Sequence, residues 1–256
     1  MERRNVRVST RDSFAHVTLA RPERRNTLSF ETIAELDAVF AEIGAGKARG
    51  VLLDAEGPVF SAGHDFADMT GRDLAGMRAL LARCAELMQR IQRIPQPVLA
   101  SVAGLATAAG CQLVATCDLA VASSEARFAA PGGRGGLFCH TPMVAVSRAV
   151  GRKRALELLL TGDPIDAATA ADWGLVNRVV ALGELEAASW ELLERATRGS
   201  AFSKGLGKQS YYAQIDLDQP KPYDYASEVM ASASQHPDAQ EGMRAFLEKR
   251  RPVFEE

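Results

Sequence analysis

Residues 101–118 read SVAGLATAAGCQLVATCD. The stretch opens on the end of an apolar run, Pro97 to Val102, turns at Ala103-Gly104, and enters a helical pattern made almost wholly of small residues. Such a run sets a buried strand beside a helix whose first turn another backbone, or a ligand, can approach closely. The first N–H groups of a helix have no partner within it, so they can donate to an oxygen that gains negative charge. Ala and Gly are also what close helix packing selects, and a tightly packed core helix accounts for the same residues. The stretch alone leaves both readings open.

Around it the chain alternates. Val6 to Val8 and Phe14 to Leu19 read as strands joined by the polar turn Ser9-Thr10-Arg11-Asp12, and Arg21-Pro22 ends the second before the loop Arg24-Arg25-Asn26. Ile33, Leu36, Phe40 and Ile43 recur at helical spacing up to Gly44. Gly50 to Asp54 is a short buried strand, and GPVFSAGHDFADM after it is a loop. Leu74, Met77, Leu81, Cys84, Met88 and Ile91 mark a long helix that Pro95 and Pro97 end. Leu119 to Ala122 and Arg127 to Ala129 read as strands, Gly132 to Gly136 as a turn, and Thr141 to Val150 and Arg152 to Leu160 as helices. Asp166 is placed to cap a helix that runs to Trp173 and closes at Gly174, before a strand at Val176 to Val180. From Glu184 the pattern is helical, with breaks expected at Gly205-Leu206-Gly207 and at Pro220 and Pro222. Alternating strand and helix patterns imply an α/β core with largely parallel pairing. A composition shift near residue 195 divides the chain into a core, 1–195, and a helical region, 196–256, suited to contacts between copies.

Thirty Lys and Arg against 32 Asp and Glu leave a net charge of −2, which gives no electrostatic footprint for nucleic acid or an anionic membrane. No apolar run approaches the roughly 20 residues of a membrane span. Cys84, Cys111, Cys117 and Cys139 form no C-x-x-C pair and read as buried thiols of a reducing compartment. The basic N-terminus has no apolar segment behind it, so a cytoplasmic location is the expectation. Gly205-Leu206-Gly207-Lys208-Gln209 is half a P-loop at most, since Gln209 lacks the hydroxyl that Mg²⁺ needs. Gly132 to Gly136 is not a dinucleotide fingerprint, no G-x-S-x-G elbow exists, and His64, His140 and His236 show no metal-ligand spacing.

Two segments together resemble the crotonase superfamily, the enoyl-CoA hydratase/isomerase proteins. Val59 to Phe66 (VFSAGHDF) resembles its first oxyanion segment, and Ala103 to Leu113 (AGLATAAGCQL) with Cys117-Asp118-Leu119-Ala120 resembles its second. Thr161 to Ala167, Gly174-Leu175-Val176, and Arg21-Pro22 with Asn26 match further signatures, so the likeness runs from about residue 5 to residue 250. It implies an α/β fold with a crotonase-like spiral core of ββα units and a C-terminal helical region used for trimerisation, as a homotrimer or a dimer of trimers. It also implies an acyl- or enoyl-CoA ligand from fatty acid metabolism. Coenzyme A enters as part of the substrate, and no cofactor is bound permanently. The thioester oxygen is held by the backbone N–H groups of His64 and Ala109, with Gly110 adjoining, while Arg24, Arg25 and Ala62 fall where the family meets the coenzyme.

The chain departs from the family at the residues that would do the chemistry. Hydratases of the family carry two glutamates, and the positions that match them here hold Gln112 and Gly132. An amide can orient water but cannot serve as a general base near neutral pH. Members that isomerise double bonds carry an acid where this chain has His140, a side chain that titrates near neutrality. His140 is therefore the candidate acid/base, with a helix-capping role for it as the plain account. His64 is a second candidate if its ring turns inward. The wording GLFCHTP, together with ATAAGCQLVATCDLAVAS, most resembles a branch of the family whose members share the loss of both glutamates. The expectation is an enoyl-CoA hydratase or isomerase of atypical equipment. The alternatives are a non-catalytic acyl-CoA-binding protein, or another enolate-based reaction such as a thioesterase or decarboxylase.

Overall fold

Strands β1 (Val6–Arg11) and β2 (Phe14–Leu19) open a computed structural model that describes residues 3–219 and 221–254; Pro220, one of the expected helix breaks, lies outside the described residues. The hairpin turns at Asp12-Ser13, with Asp12 at φ 51°, and Ser9, Thr10 and Arg11, read from sequence as the turn, extend β1 as an exposed edge strand. Helix α1 (Phe30–Gly44) begins at Ser29, whose hydroxyl accepts from the Thr32 N–H, and buries Ile33, Leu36, Phe40 and Ile43.

The chain then repeats one path three times. Strand β3 (Val51–Ala55) lies in a large sheet, β4 (Val59–Ser61) in a small one, and the short α2 (Phe66–Met69) and long α3 (Leu74–Arg93) lead back. Strands β5 (Val98–Val102) and β6 (Leu105–Thr107) are followed by α4 (Ala109–Thr116). Strands β7 (Leu119–Ser123) and β8 (Arg127–Ala129) are followed by a 3-10 turn at Pro131–Gly135 and α5 (Pro142–Val150). After α6 (Arg152–Thr161), β9 (Ile165–Asp166) joins the small sheet, α7 (Ala167–Trp173) follows, and β10 (Arg178–Val180) joins the large one. The large sheet runs β1-β2-β3-β5-β7-β10, parallel beyond the hairpin, and the small sheet runs β4-β6-β8-β9. This is the spiral of ββα units expected of the resemblance.

Both faces of the large sheet are covered, as a parallel sheet requires. Val51 and Leu53 face the main core with Phe40, Phe60 and Phe128, while Leu52, Leu99 and Val121 face Trp190 and Leu193 of α8 (Leu185–Ala196) on the other side. In α3 the buried row is Leu80, Cys84, Leu87, Met88 and Ile91; Leu74, counted in the expected stripe, is 66% exposed. Two overlapping rows of apolar residues share that helix, and packing against α1 selects one of them.

Helices α9 (Ala201–Gln214), α10 (Lys221–Ala233) and α11 (Pro237–Leu247) complete the chain. Gly205-Leu206-Gly207, expected to break the helix, lies within α9. A Cβ at Gly205 would stand 2.7 Å from the Pro95 Cβ, so this glycine lets α9 cross the end of α3 closely. Lys208, met in the sequence only as part of a failed P-loop, pins the crossing. Its Nζ donates to the Ile91 and Gln96 carbonyls at 2.8 Å each and lies 2.7 Å from Asp118 Oδ2. Asp118 also accepts from the Val98 N–H at 2.7 Å and from the Tyr212 hydroxyl at 2.9 Å. Burial raises the Asp118 carboxyl above its ordinary range, and these donors pull it back.

Candidate active site

The first oxyanion segment is built by a clasp that sequence reading did not anticipate. Asn26, buried and at φ 49°, donates from Nδ2 to the Glu56 and Val59 carbonyls at 2.9 and 2.8 Å and accepts from the Arg21 N–H at 2.9 Å. The Ser61 hydroxyl donates to the Asn26 carbonyl at 2.8 Å and accepts from the Gly63 N–H at 3.2 Å. The turn after β4 is thereby held against the start of α4. Gly63 sits at φ 83°, where a Cβ would stand 2.9 Å from the Ala109 nitrogen, and a Cβ at Gly110 would overlap the Ser61 carbonyl. Only glycine at both places lets the two segments touch.

At that contact two backbone donors are free. Among the described residues neither the His64 N–H nor the Ala109 N–H has a backbone or side-chain acceptor, and the first intrahelical bond of α4 starts from Gln112 to the Ala108 carbonyl at 3.0 Å. Ala108, the residue before the helix, holds φ 52° and ψ −119°, a conformation an L-residue rarely adopts. The arrangement can receive one carbonyl oxygen on two N–H groups and hold it as charge develops.

Gln112 and Gly132, the two positions that the sequence resemblance sets against hydratase glutamates, differ from each other. Gln112 is buried on α4, one turn from Ala109, and its Oε1 has no hydrogen-bond partner among the described residues. Gly132 stands in the 3-10 turn, where any Cβ would overlap the Leu137 carbonyl and lie 2.8 Å from Cys139 Sγ. The loop 131–139 lies over that position, and this backbone has no room there for any side chain. Cys139 Sγ accepts from the Gly132 N–H at 3.3 Å, and all four cysteines are buried free thiols. Burial pushes Cys84 and Cys111 up to about 12, far from a reactive thiolate.

His140 is exposed, and its Nδ1 lies 2.9 Å from the Phe138 carbonyl. A carbonyl oxygen can only accept, so Nδ1 carries a hydrogen. The helix-capping account of His140 does not hold, since its ring bonds the Phe138 carbonyl and the N-cap of α5 is Thr141. The His64 ring is partly buried, with Nδ1 3.4 Å from the Leu28 carbonyl and Nε2 without a hydrogen-bond partner among the described residues; burial holds its pKa below the ordinary value. Asp65 caps α2 through the Ala67 N–H at 3.0 Å and takes the Thr27 hydroxyl at 3.2 Å. Arg24 reaches Asp65 at 3.5 Å and lines a cavity of about 410 Å³ with Arg21, Phe30 and Arg72. Arg25 presents an exposed side chain, and its carbonyl accepts from the Ala62 N–H at 3.0 Å, which ties those two coenzyme candidates together. A groove of about 1000 Å³ opens along α4 from Gln112. Among the described residues, no cluster of His, Cys, Asp and Glu could hold a metal ion, and no helix is long and apolar enough to cross a membrane.

The family model for enoyl-CoA hydratase/isomerase matches residues 9–256. The mouse protein "Enoyl-CoA hydratase domain-containing protein 3, mitochondrial" is 42% identical over 95% of this chain and 82% of its own length. The crystal structure of the human protein of that name superposes at TM-score 0.94 with 40% identity, covering 98% of this chain and 100% of the other. A crystal structure of an enoyl-CoA hydratase from Mycobacterium smegmatis superposes at 0.95 with 42% identity, covering 98% and 99%. The same relatives correct the expected cytoplasmic location, because the mouse, human and Xenopus laevis proteins are mitochondrial by name. Buried, reduced thiols suit more than one compartment, so the cysteines could not have singled out the cytoplasm.

Proposed function

The chain belongs to the enoyl-CoA hydratase/isomerase family, and from that premise we propose that it binds an acyl- or enoyl-CoA thioester and polarises its carbonyl on the His64 and Ala109 N–H groups. The observation that carries the reading is that pair of acceptor-free donors, brought together by Gly63 and Gly110. A donor pair aimed at a developing oxyanion lowers a barrier by about 3–4 kcal/mol per donor in comparable sites. Gly110 adjoins the pair and leaves it uncrowded. Arg24, Arg25 and Ala62 form the coenzyme's approach, with coenzyme A arriving as part of the substrate.

Hydration by two glutamates is outside this chain's means. In the reading proposed, Gln112 orients water or substrate through its free Oε1, and the exposed His140 ring exchanges the proton, in a hydratase- or isomerase-type reaction through an enolate. The closed loop over Gly132 favours a second reading, binding without turnover. Incubation with crotonyl-CoA, followed by loss of the conjugated-thioester absorbance and by product mass, separates them. The enzyme reading expects turnover that falls about 10²-fold or more in His140→Ala and falls in Gln112→Ala. Calorimetric binding of crotonyl-CoA with no product overturns it in favour of the second reading.

A further inference from the structure

The His64 N–H belongs to the peptide unit whose carbonyl is that of Gly63, and a planar trans unit points the two in opposite directions. The Leu28 N–H donates to the Gly63 carbonyl at 2.8 Å, so whatever places Leu28 also aims the first donor of the oxyanion pair. A hydrogen bond on that carbonyl also polarises the unit and strengthens the bond its N–H gives. Resting on the thioester reading above, we infer that Asn26 is a positioning residue for this donor, and that the buried Glu35 of α1 acts on it through Asn5 and Arg21.

Asn26 is the near end of the connection. It and Arg25 hold φ 49° and 52°, consecutive left-handed residues, a conformation that asparagine tolerates better than most. The turn sets residues 25–28 beside 62–64, where the Ala62 N–H donates to the Arg25 carbonyl at 3.0 Å and Leu28 pairs with His64 in parallel. The Asn26 side-chain amide and carbonyl tie this run to β4, through the Val59 carbonyl and the Ser61 hydroxyl at 2.8 Å each. Ser61 Oγ in turn accepts from the Gly63 N–H at 3.2 Å. Gly63 is thus held on both sides, its N–H by Ser61 and its carbonyl by Leu28, and the peptide that carries the donor is fixed in direction.

The far end is a carboxyl that the proposed reaction does not use. Glu35, 2% exposed, accepts from the Asn5 N–H at 2.9 Å, the Asn5 side-chain amide at 2.8 Å, and the Arg4 and Val6 N–H groups at 3.1 and 3.0 Å. With its Nδ2 so engaged, Asn5 turns Oδ1 to Arg21 Nη1 at 2.8 Å, and its carbonyl accepts from the Ala20 N–H at 2.8 Å. Arg21 and Asn26 then exchange two bonds at 2.9 Å, the Arg21 N–H giving to Asn26 Oδ1 and the Asn26 N–H to the Arg21 carbonyl. Asn5 and Asn26 are buried, so removing one member leaves its partners unsatisfied away from water, and the network responds as a unit.

The test is calorimetric titration of the full chain with butanoyl-CoA and with S-butyl-CoA, the thioether that has CH₂ in place of the carbonyl. The ratio of the two affinities isolates what the donor pair contributes. A residue that only supports the fold changes both affinities together and leaves the ratio alone. In the unaltered protein two donated bonds predict a ratio of about ten. Asn26→Asp, which removes both Nδ2 donors at nearly the same shape, and Ser61→Ala should each bring it to about three or below. Glu35→Gln should lower it part of the way, and should lower it no further when combined with Asn26→Asp, since it acts through that residue. A ratio of about one in the unaltered protein overturns the thioester reading itself. A ratio that persists in Asn26→Asp and Ser61→Ala overturns the positioning role and leaves that reading intact. An unchanged ratio in Glu35→Gln, or a further fall in the double variant, overturns the connection from α1. If Asn26→Asp does not fold, Ser61→Ala, a smaller change, decides by the same criterion.

Discussion

His64 carries two groups with different duties, and the sequence shows only that it is a histidine in a family-like position. Its N–H lacks an acceptor, while its ring is held by burial below the ordinary pKa of 6.5. Because the folded-state pKa is the lower one, the unfolded chain takes up a proton below pH 6.5 that the fold resists. Stability is therefore full above that pH and declines as pH falls, by at most about 1.4 kcal/mol per unit from this residue. Thermal unfolding at pH 7.5 and 5.5 checks this: the acid loss should shrink in His64→Asn, and an identical loss in both proteins counts against it. Other features of the site escaped the sequence for steric reasons. That Gly132 is sealed by Leu137, that Ala108 holds a left-handed φ, and that Asn26 clasps the β4 turn are all properties of a closed backbone, not of a residue pattern.

Among the elements, those with ten or more residues of regular period were legible, because burial on one face writes 3.6-residue periodicity into the chain. Helices α1 and α3 stand where the spacing put them, and the cap at Asp166 and stop at Gly174 are in place. Strands β4, β6 and β9, with three, three and two residues, are too short to show alternation, and they are three of the four strands of the small sheet. Glycine at 205 read as a breaker because its reason, contact with Pro95, lies far away in sequence. The same crossing depends on Lys208. Breaking a buried ion pair by removing one partner leaves a charge without compensation, which costs about 3–5 kcal/mol. Urea unfolding of Asp118→Asn should show a loss of that order, and Asp118→Asn with Lys208→Met should recover part of it. A loss in Asp118→Asn within about 0.5 kcal/mol, the usual range for surface changes, would mean that the clamp does not hold α9.

For the whole molecule, the α/β spiral and its helical C-terminal region were legible as soon as the two oxyanion segments were read together, whereas the location expected from the N-terminal segment was not. The resemblance implies that residues 196–256 make contacts between copies, as a homotrimer or a dimer of trimers. Met230, Phe246 and Leu247 are 76, 82 and 80% exposed there, an apolar surface that a lone chain would leave in water. Light scattering should return a mass of three or six chains, and a monomer at micromolar concentration would refute the assignment. The central claim concerns one oxygen atom. Butanoyl-CoA labelled with ¹³C at the thioester carbonyl, bound to the protein and measured by isotope-edited infrared spectroscopy, reports the polarisation of that bond directly. Two donated hydrogen bonds from His64 and Ala109 should move the carbonyl stretch below its frequency in water; a bound thioester whose stretch is unmoved or higher would contradict the oxyanion assignment.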